Sequence, residues 1–292
     1  MHDEQQKINL ILSQAKSLAD EGKYLHALQL YDKLLSEKMT IPEPFIQCAN
    51  LYLDNGQVGA AVKTLEDALI LFPTDEYIFY RLGILFQKTE QYHKSIALLK
   101  KISKRHNIAI QYALGIAYLK ITDYKKAKDH FKVAHKSNPK YKRVNIHLAE
   151  TLLKLNLFAE SLKYFKNEIK LNPNDWGSYY YQGIAYLHLI DYKKAFNAFE
   201  SANKIEPHNK LSITKSGECL LGMKEYAQAI NYINLALSFD PDFIDALIVL
   251  GRLHYTVGDY GSANAVLVRA SNIEPQNMLI RSLYKKVLSK RI

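Results

Sequence analysis

The chain has no apolar run long enough to cross a membrane. Its longest apolar stretches, such as Leu69 to Phe72, fall far short of the ~20 residues a spanning helix needs, so membrane insertion is not expected. The first residues, "MHDEQQKINLILSQA", lack a basic leader followed by a long apolar stretch, and the expectation is a cytoplasmic protein. Only two cysteines occur, Cys48 and Cys219, each within an apolar helical pattern, which points to small buried thiols in a reducing compartment and not to a disulfide. With 12 Gly and 8 Pro in 292 residues, and no tract rich in either, nothing marks a flexible linker.

Chemistry-bearing motifs are missing too. There is no glycine-rich phosphate loop, no His-Glu-x-x-His, no paired Cys-x-x-Cys and no Gly-x-Ser-x-Gly. The ten histidines are scattered, and His130 and His135, five apart, point in different directions on a helix. His147 and Glu150 have a spacing that surface helices produce constantly. No catalytic residue, metal site or cofactor is therefore expected.

What is present is periodicity. Residues 115–139, "GIAYLKITDYKKAKDHFKVAHKSNP", and 183–207, "GIAYLHLIDYKKAFNAFESANKIEP", agree at 14 of 25 positions, 68 residues apart. Prolines at 139, 173, 207, 241 and 275 recur every 34 residues, and Gly115, Ala149, Gly183, Gly217 and Gly251 keep the same step. A 34-residue period without strand-like alternation means stacked helical hairpins, since one such unit cannot bury its apolar face alone. Within each period a small residue at position 8 suits a close crossing of the first helix on the second, and a small residue at position 20 answers it, from Ala27 to Ala263. An aromatic ring usually stands at position 17, as in Tyr124, Phe158 and Tyr192, where it is expected to fill the corner of its hairpin. Asp123, Asp191 and Asp259 precede such rings and are placed to cap the second helix.

This pattern, carried most closely by "LGIAYLKITDYKKAKDHFKVAHKSNP", resembles the tetratricopeptide repeat family over residues 8–277. The resemblance implies an all-α, right-handed superhelical solenoid of eight helix-turn-helix repeats, starting near residues 8, 42, 76, 108, 142, 176, 210 and 244. Residues 1–7 are read as an N-terminal tail and 278–292 as a capping helix with Leu279, Ile280, Leu283, Tyr284, Val287 and Leu288 on one face. The first repeat departs from the pattern and reads as an opening cap. The third is two residues short and lacks a terminal proline at "KISKRHN", so the packing of repeats three and four is expected to twist differently.

The resemblance also implies a concave groove lined by the first helices. The expected peptide-binding residues are Tyr77, Tyr80, Ile84, Lys88, Tyr112, Ile116 and Lys120, followed by Ile146, Glu150, Lys154, Tyr180, Ile184 and His188. Positions 5 and 9 supply an apolar, tyrosine-bearing floor, and position 13 supplies Lys88, Lys120 and Lys154 along one edge. Such a surface suits a peptide or partner subunit with hydrophobic anchors and acidic residues. The carboxylate clamp that one subclass uses on chaperone tails is absent: Asn50 and Arg81 stand in adjacent repeats, and Ile46 replaces the required lysine. Trp176, the only tryptophan, reads as a packing residue at a helix start.

Residues 88–143 hold 15 Lys and Arg against 3 Asp and Glu, a net +12 in a chain of net +10. Lys125, Lys128, Lys132 and Lys136 form a stripe facing away from Phe131 and Ala134. A solvated convex face, an acidic protein partner and a polyanion all fit this band. The chain reads as a non-catalytic scaffold or adaptor, with an RNA-binding solenoid and a regulatory arm of a larger enzyme as alternatives.

Overall fold

The computed structural model describes residues 2–37, 40–102, 107–141 and 143–290. Among these residues every regular element is a helix, seventeen in all. The chain divides into two compact units, Met1–Tyr141 and Lys142–Ile292. In the first, α1 (His2–Asp20) pairs with α2 (Tyr24–Leu35), α3 (Glu43–Asp54) with α4 (Val58–Leu71), α5 (Glu76–Lys88) with α6 (Tyr92–Leu99), and α7 (Ile108–Lys120) with α8 (Tyr124–Ser137). The second pairs α9 (Val144–Lys154) with α10 (Phe158–Leu171), α11 (Trp176–His188) with α12 (Tyr192–Ile205), α13 (Lys210–Gly222) with α14 (Tyr226–Phe239), and α15 (Ile244–Thr256) with α16 (Tyr260–Ile273). The last helix, α17 (Met278–Leu288), packs on α15 and α16.

The hairpins with glycine at position 8 close through one lock. A Cβ added to Gly115 would stand 2.6 Å from the Phe131 ring, and one added to Gly183 would stand 2.6 Å from the Phe199 ring. The glycine at position 8 is thus the seat of the side chain at position 24, and both phenylalanines are sealed from solvent. Burying such a ring contributes about 1.5–3 kcal/mol. The small residues at position 20, including Ala127, Ala195 and Ser161, are likewise fully buried, which lets the two backbones approach.

The turns follow one rule. Position 15 is left-handed in all eight hairpins: Gly22, Gly56 and Gly258, but also Glu90, Thr122, Asn156, Ile190 and Lys224, with φ between 58° and 83°. In hairpin six the N–H of Asp191 donates to the Tyr186 carbonyl at 3.0 Å and that of Ile190 to the Leu187 carbonyl at 2.9 Å. This Schellman pairing satisfies carbonyls orphaned at the helix end, and it demands φ > 0 whatever residue stands there. The next helix is capped at once: Asp123, Asp191 and Asp259 accept from the backbone N–H of Lys126, Lys194 and Ser262 at 3.0–3.2 Å.

Several expectations need correction. Residues 2–7 are not a tail but belong to α1, whose Ile8 is buried. On α17, Ile280 and Val287 are fully buried while Leu279 and Leu288 stay exposed, because the apolar arc is wider than the contact with α15 and α16. At position 17, Tyr260 packs on Tyr255 of its own hairpin, but two other rings reach beyond theirs. Phe158 stacks on His188 of the next hairpin at 4.3 Å, and the Tyr192 ring lies where a Cβ on Gly222 would be, 2.6 Å away. The expected change of twist between repeats three and four falls in part on residues 103–106, outside the described residues; α6, just before them, is only 8 residues long.

Candidate functional site

In the second unit the first helices α11, α13 and α15 turn one face to a cleft of about 480 Å³. Its apolar wall is made by Ile184, Leu187 and Leu221 with the rings of Tyr192 and Tyr226. These come from repeat positions 9, 12 and 17, so the wall is a product of stacking. Gly222 has a structural reason here, since any side chain would displace the Tyr192 ring.

The polar wall is an ion cluster. Lys215 Nζ donates to Glu218 Oε2 at 2.7 Å, and Arg252 Nη1 donates to Glu218 Oε1 at 2.9 Å from the next hairpin, 34 residues on. Burial penalises the charged Glu218 carboxyl, yet Lys215 and Arg252 outweigh that and hold it below the usual carboxylate range. Lys224, at a left-handed turn position, completes the rim. With three cations against one carboxylate, these side chains leave the cleft net positive.

A smaller hollow of about 360 Å³ lies in the first unit, where Tyr77 and Tyr80 face Ile102, Ala109 and Ile110. Among the described residues no group of three His, Cys, Asp or Glu is placed to hold a metal ion. Burial pushes both thiols, Cys48 and Cys219, up to about 12, far from the range in which a thiolate attacks or ligates. No described helix is long and apolar enough to cross a membrane.

Known proteins share the fold of stacked helical hairpins. Residues 146–209 and 220–287 each match a tetratricopeptide repeat family profile. The chain is a tetratricopeptide repeat protein. A curated relative, the TPR repeat-containing protein YpiA of Bacillus subtilis (strain 168), is 24% identical over 166 residues, and the match spans 56% of this chain but 39% of YpiA. Among solved structures, a tetratricopeptide repeat protein from Parabacteroides merdae superposes with a TM-score of 0.62 at 14% identity, over 85% of this chain and 98% of that one. YrrB, described as a TPR protein with an unusual peptide-binding site, gives a TM-score of 0.57 at 19% identity, over 63% of this chain and 95% of its own.

Within this tetratricopeptide repeat protein, the expected groove residues are not all alike. Ile184 and His188 line the large cleft, and Tyr77 and Tyr80 the small hollow. Ile146 is only 5% exposed and belongs to the core; position 5 is similarly sealed at Ile46, Thr214 and Ile248, because it faces the neighbouring first helix. Tyr112 packs edge-on against Phe131 and Tyr141, and Tyr180 edge-on against Trp176 and Tyr181 and tilted against Phe199. Burial pushes the Tyr180 phenol up to about 12. Both rings are therefore partly structural. Ile84, Ile116 and Glu150 are half-buried, Glu150 lying 3.5 Å from His147, while Lys88 and Lys120 of the first unit and Lys154 of the second are exposed.

The clamp remnants satisfy one another, Arg81 donating to the Asn50 side-chain carbonyl. His130 is engaged by Gln111 at 2.7 Å and stacks on Tyr118, and burial lowers its pKa. Sequence reasoning missed Lys215, Glu218, Lys224 and Arg252 as a group. A signal was present: Glu218 and Arg252 hold the same position 9 in successive repeats with opposite charge.

Proposed function

We propose that this chain is a non-catalytic adaptor that holds a segment of a partner protein against its first-helix face, through apolar anchors and acidic residues on the partner. The observation that carries this reading is the cleft of about 480 Å³ on α11, α13 and α15, which joins an apolar wall to a net-positive one. Anchors burying ~100 Å² of apolar area each would contribute about 2.5 kcal/mol, more than an exposed ion pair adds. The test is photo-crosslinking in the native cell, with a benzophenone amino acid at Thr256 in the cleft or at Lys204 on the opposite helix layer. One protein captured from Thr256 and not from Lys204 supports the cleft; equal capture from both sites, or none from Thr256, sinks it.

A second reading rests on the basic band of the first unit, where Lys125, Lys136 and Lys140 stand exposed on or beside α8. Its partner would be a polyanion such as RNA. A nucleic acid held through roughly six phosphates would lose ~10³-fold in affinity between 50 and 200 mM salt, whereas a segment held by buried apolar anchors would lose far less.

A further inference from the structure

We infer that the cleft on α11, α13 and α15 carries a receptor for one side-chain carboxylate, formed by Arg252, Lys215 and Lys224, with Glu218 as the internal counter-ion that sets its selectivity. The inference rests on the proposed partner-binding reading and adds to it the chemical group recognised and the residues that recognise it.

Glu218 uses one carboxylate oxygen on each of two cations, at 2.7 Å from Lys215 and 2.9 Å from Arg252. A guanidinium has five N–H donors and an ammonium three, so this pairing saturates neither group, and both line the cleft. Arg252 is 41% exposed and Lys215 27% exposed at the side chain, so both are reachable, while Glu218 at 20% lies deeper. Glu218 therefore fixes where the two cations point and cancels one of their charges. Lys224 adds a third cation at the rim, so the cleft keeps a charge of +2 with Glu218 ionised. One ligand carboxylate lowers that charge without reversing it, whereas a ligand cation meets net repulsion.

The neighbouring surface says what should flank the carboxylate. Leu187, Leu221 and Tyr192 form the apolar wall, and the turn that follows α11 leaves Leu189 and Ile190 exposed, Ile190 by 69%. An acidic residue within a leucine-bearing segment matches both surfaces; a polyphosphate chain would match only the cations.

The test uses the full chain and an array of acetylated, amidated nonapeptides containing two leucines and one glutamate, each with a glutamine twin that differs only in charge. Blocked termini leave the side-chain carboxylate as the only anion. We expect glutamate peptides to bind about fivefold more tightly than their twins. Arg252→Gln combined with Lys224→Asn should erase that ratio while leaving glutamine peptides bound, asparagine being suited to the left-handed turn. Glu218→Gln should widen the ratio, because it raises the cleft charge while keeping one hydrogen-bond acceptor. Equal binding of the twins by the natural protein, or a ratio that survives the double variant or fails to widen with Glu218→Gln, overturns the carboxylate receptor even if peptides bind. Retention of no peptide at all overturns the partner-binding reading and this inference with it.

Discussion

Residues 115–139 in the first unit and 183–207 in the second show which parts of a repeat are architecture and which are free to differ. Ala127, Phe131 and Ala134 on α8 and Ala195, Phe199 and Ala202 on α12 correspond one to one, and all six are sealed from solvent. The capping aspartates correspond too, and each pairs with a lysine three residues on at 2.6 Å, Asp123 with Lys126 and Asp191 with Lys194. Both lysines lie over a tyrosine ring, Tyr118 and Tyr186. The twins part where side chains meet other groups. Lys128 answers to Phe196, which packs edge-on against Tyr232, and Lys132 answers to Glu200, which accepts from the Ser216 hydroxyl at 3.1 Å. Shared positions thus build the hairpin, and divergent ones decide what each hairpin meets.

The largest expected effect tests the shared half. Phe131→Ala and Phe199→Ala should each cost about 3–5 kcal/mol, since each empties a fully sealed site. Gly115→Leu and Gly183→Leu approach the same contact from the other side and should cost about 1–3 kcal/mol by overpacking. Stacked repeats need not unfold in one step, so hydrogen exchange of each hairpin should accompany the denaturant curve. Twin substitutions with clearly unequal local effects would break the equivalence of the two stretches.

The caps give a smaller effect with a pH signature. Hydrogen bonding from Lys126 and Lys194 holds the carboxyls of Asp123 and Asp191 below the usual aspartate range. A depressed folded-state value means that the stabilisation is fully present above the unfolded value of about 3.9 and is lost as pH falls through the folded one. Asp123→Ala and Asp191→Ala should therefore lower the melting temperature by a few degrees at pH 7. The gap to the natural protein should close in strong acid. A gap independent of pH would mean that the ionised cap contributes nothing.

Much of the hairpin was legible because its contacts repeat every 34 residues: the small residues at 8 and 20 and the capping aspartates need no knowledge of neighbours beyond one period. The cleft was less legible because it depends on reach between hairpins. Phe158 and Tyr192 extend to the next repeat, which turns His188 from a free groove side chain into a stacked one and explains why position 13 is glycine at 222. Position 5 misled for a related reason. Tyr80 lines a hollow while Ile146 is core, and which outcome applies depends on how closely the adjoining first helix approaches.

The smallest effect concerns a difference between the twins that the fold does not require. Position 15 is left-handed in every hairpin, and Thr122 and Ile190 fill it in the two stretches at φ 62° and 59°. The Cβ of an L residue there crowds the carbonyl that follows, at a cost of about 1–2 kcal/mol, which asparagine, already present as Asn156 in hairpin five, offsets by local hydrogen bonding and a β-branched side chain does not. Ile190 is 69% exposed, so replacing it forfeits little apolar burial. Ile190→Asn should therefore raise stability by about 0.5–1 kcal/mol. If that isoleucine serves the apolar rim of the cleft, the same variant should bind leucine-bearing peptides more weakly, stability rising as affinity falls. Thr122→Asn should raise stability in the same direction with no effect on peptide retention by the second unit. Equal peptide binding by natural protein and Ile190→Asn would leave the strained turn without a role in recognition and confine the anchor to Leu187, Leu221 and Tyr192.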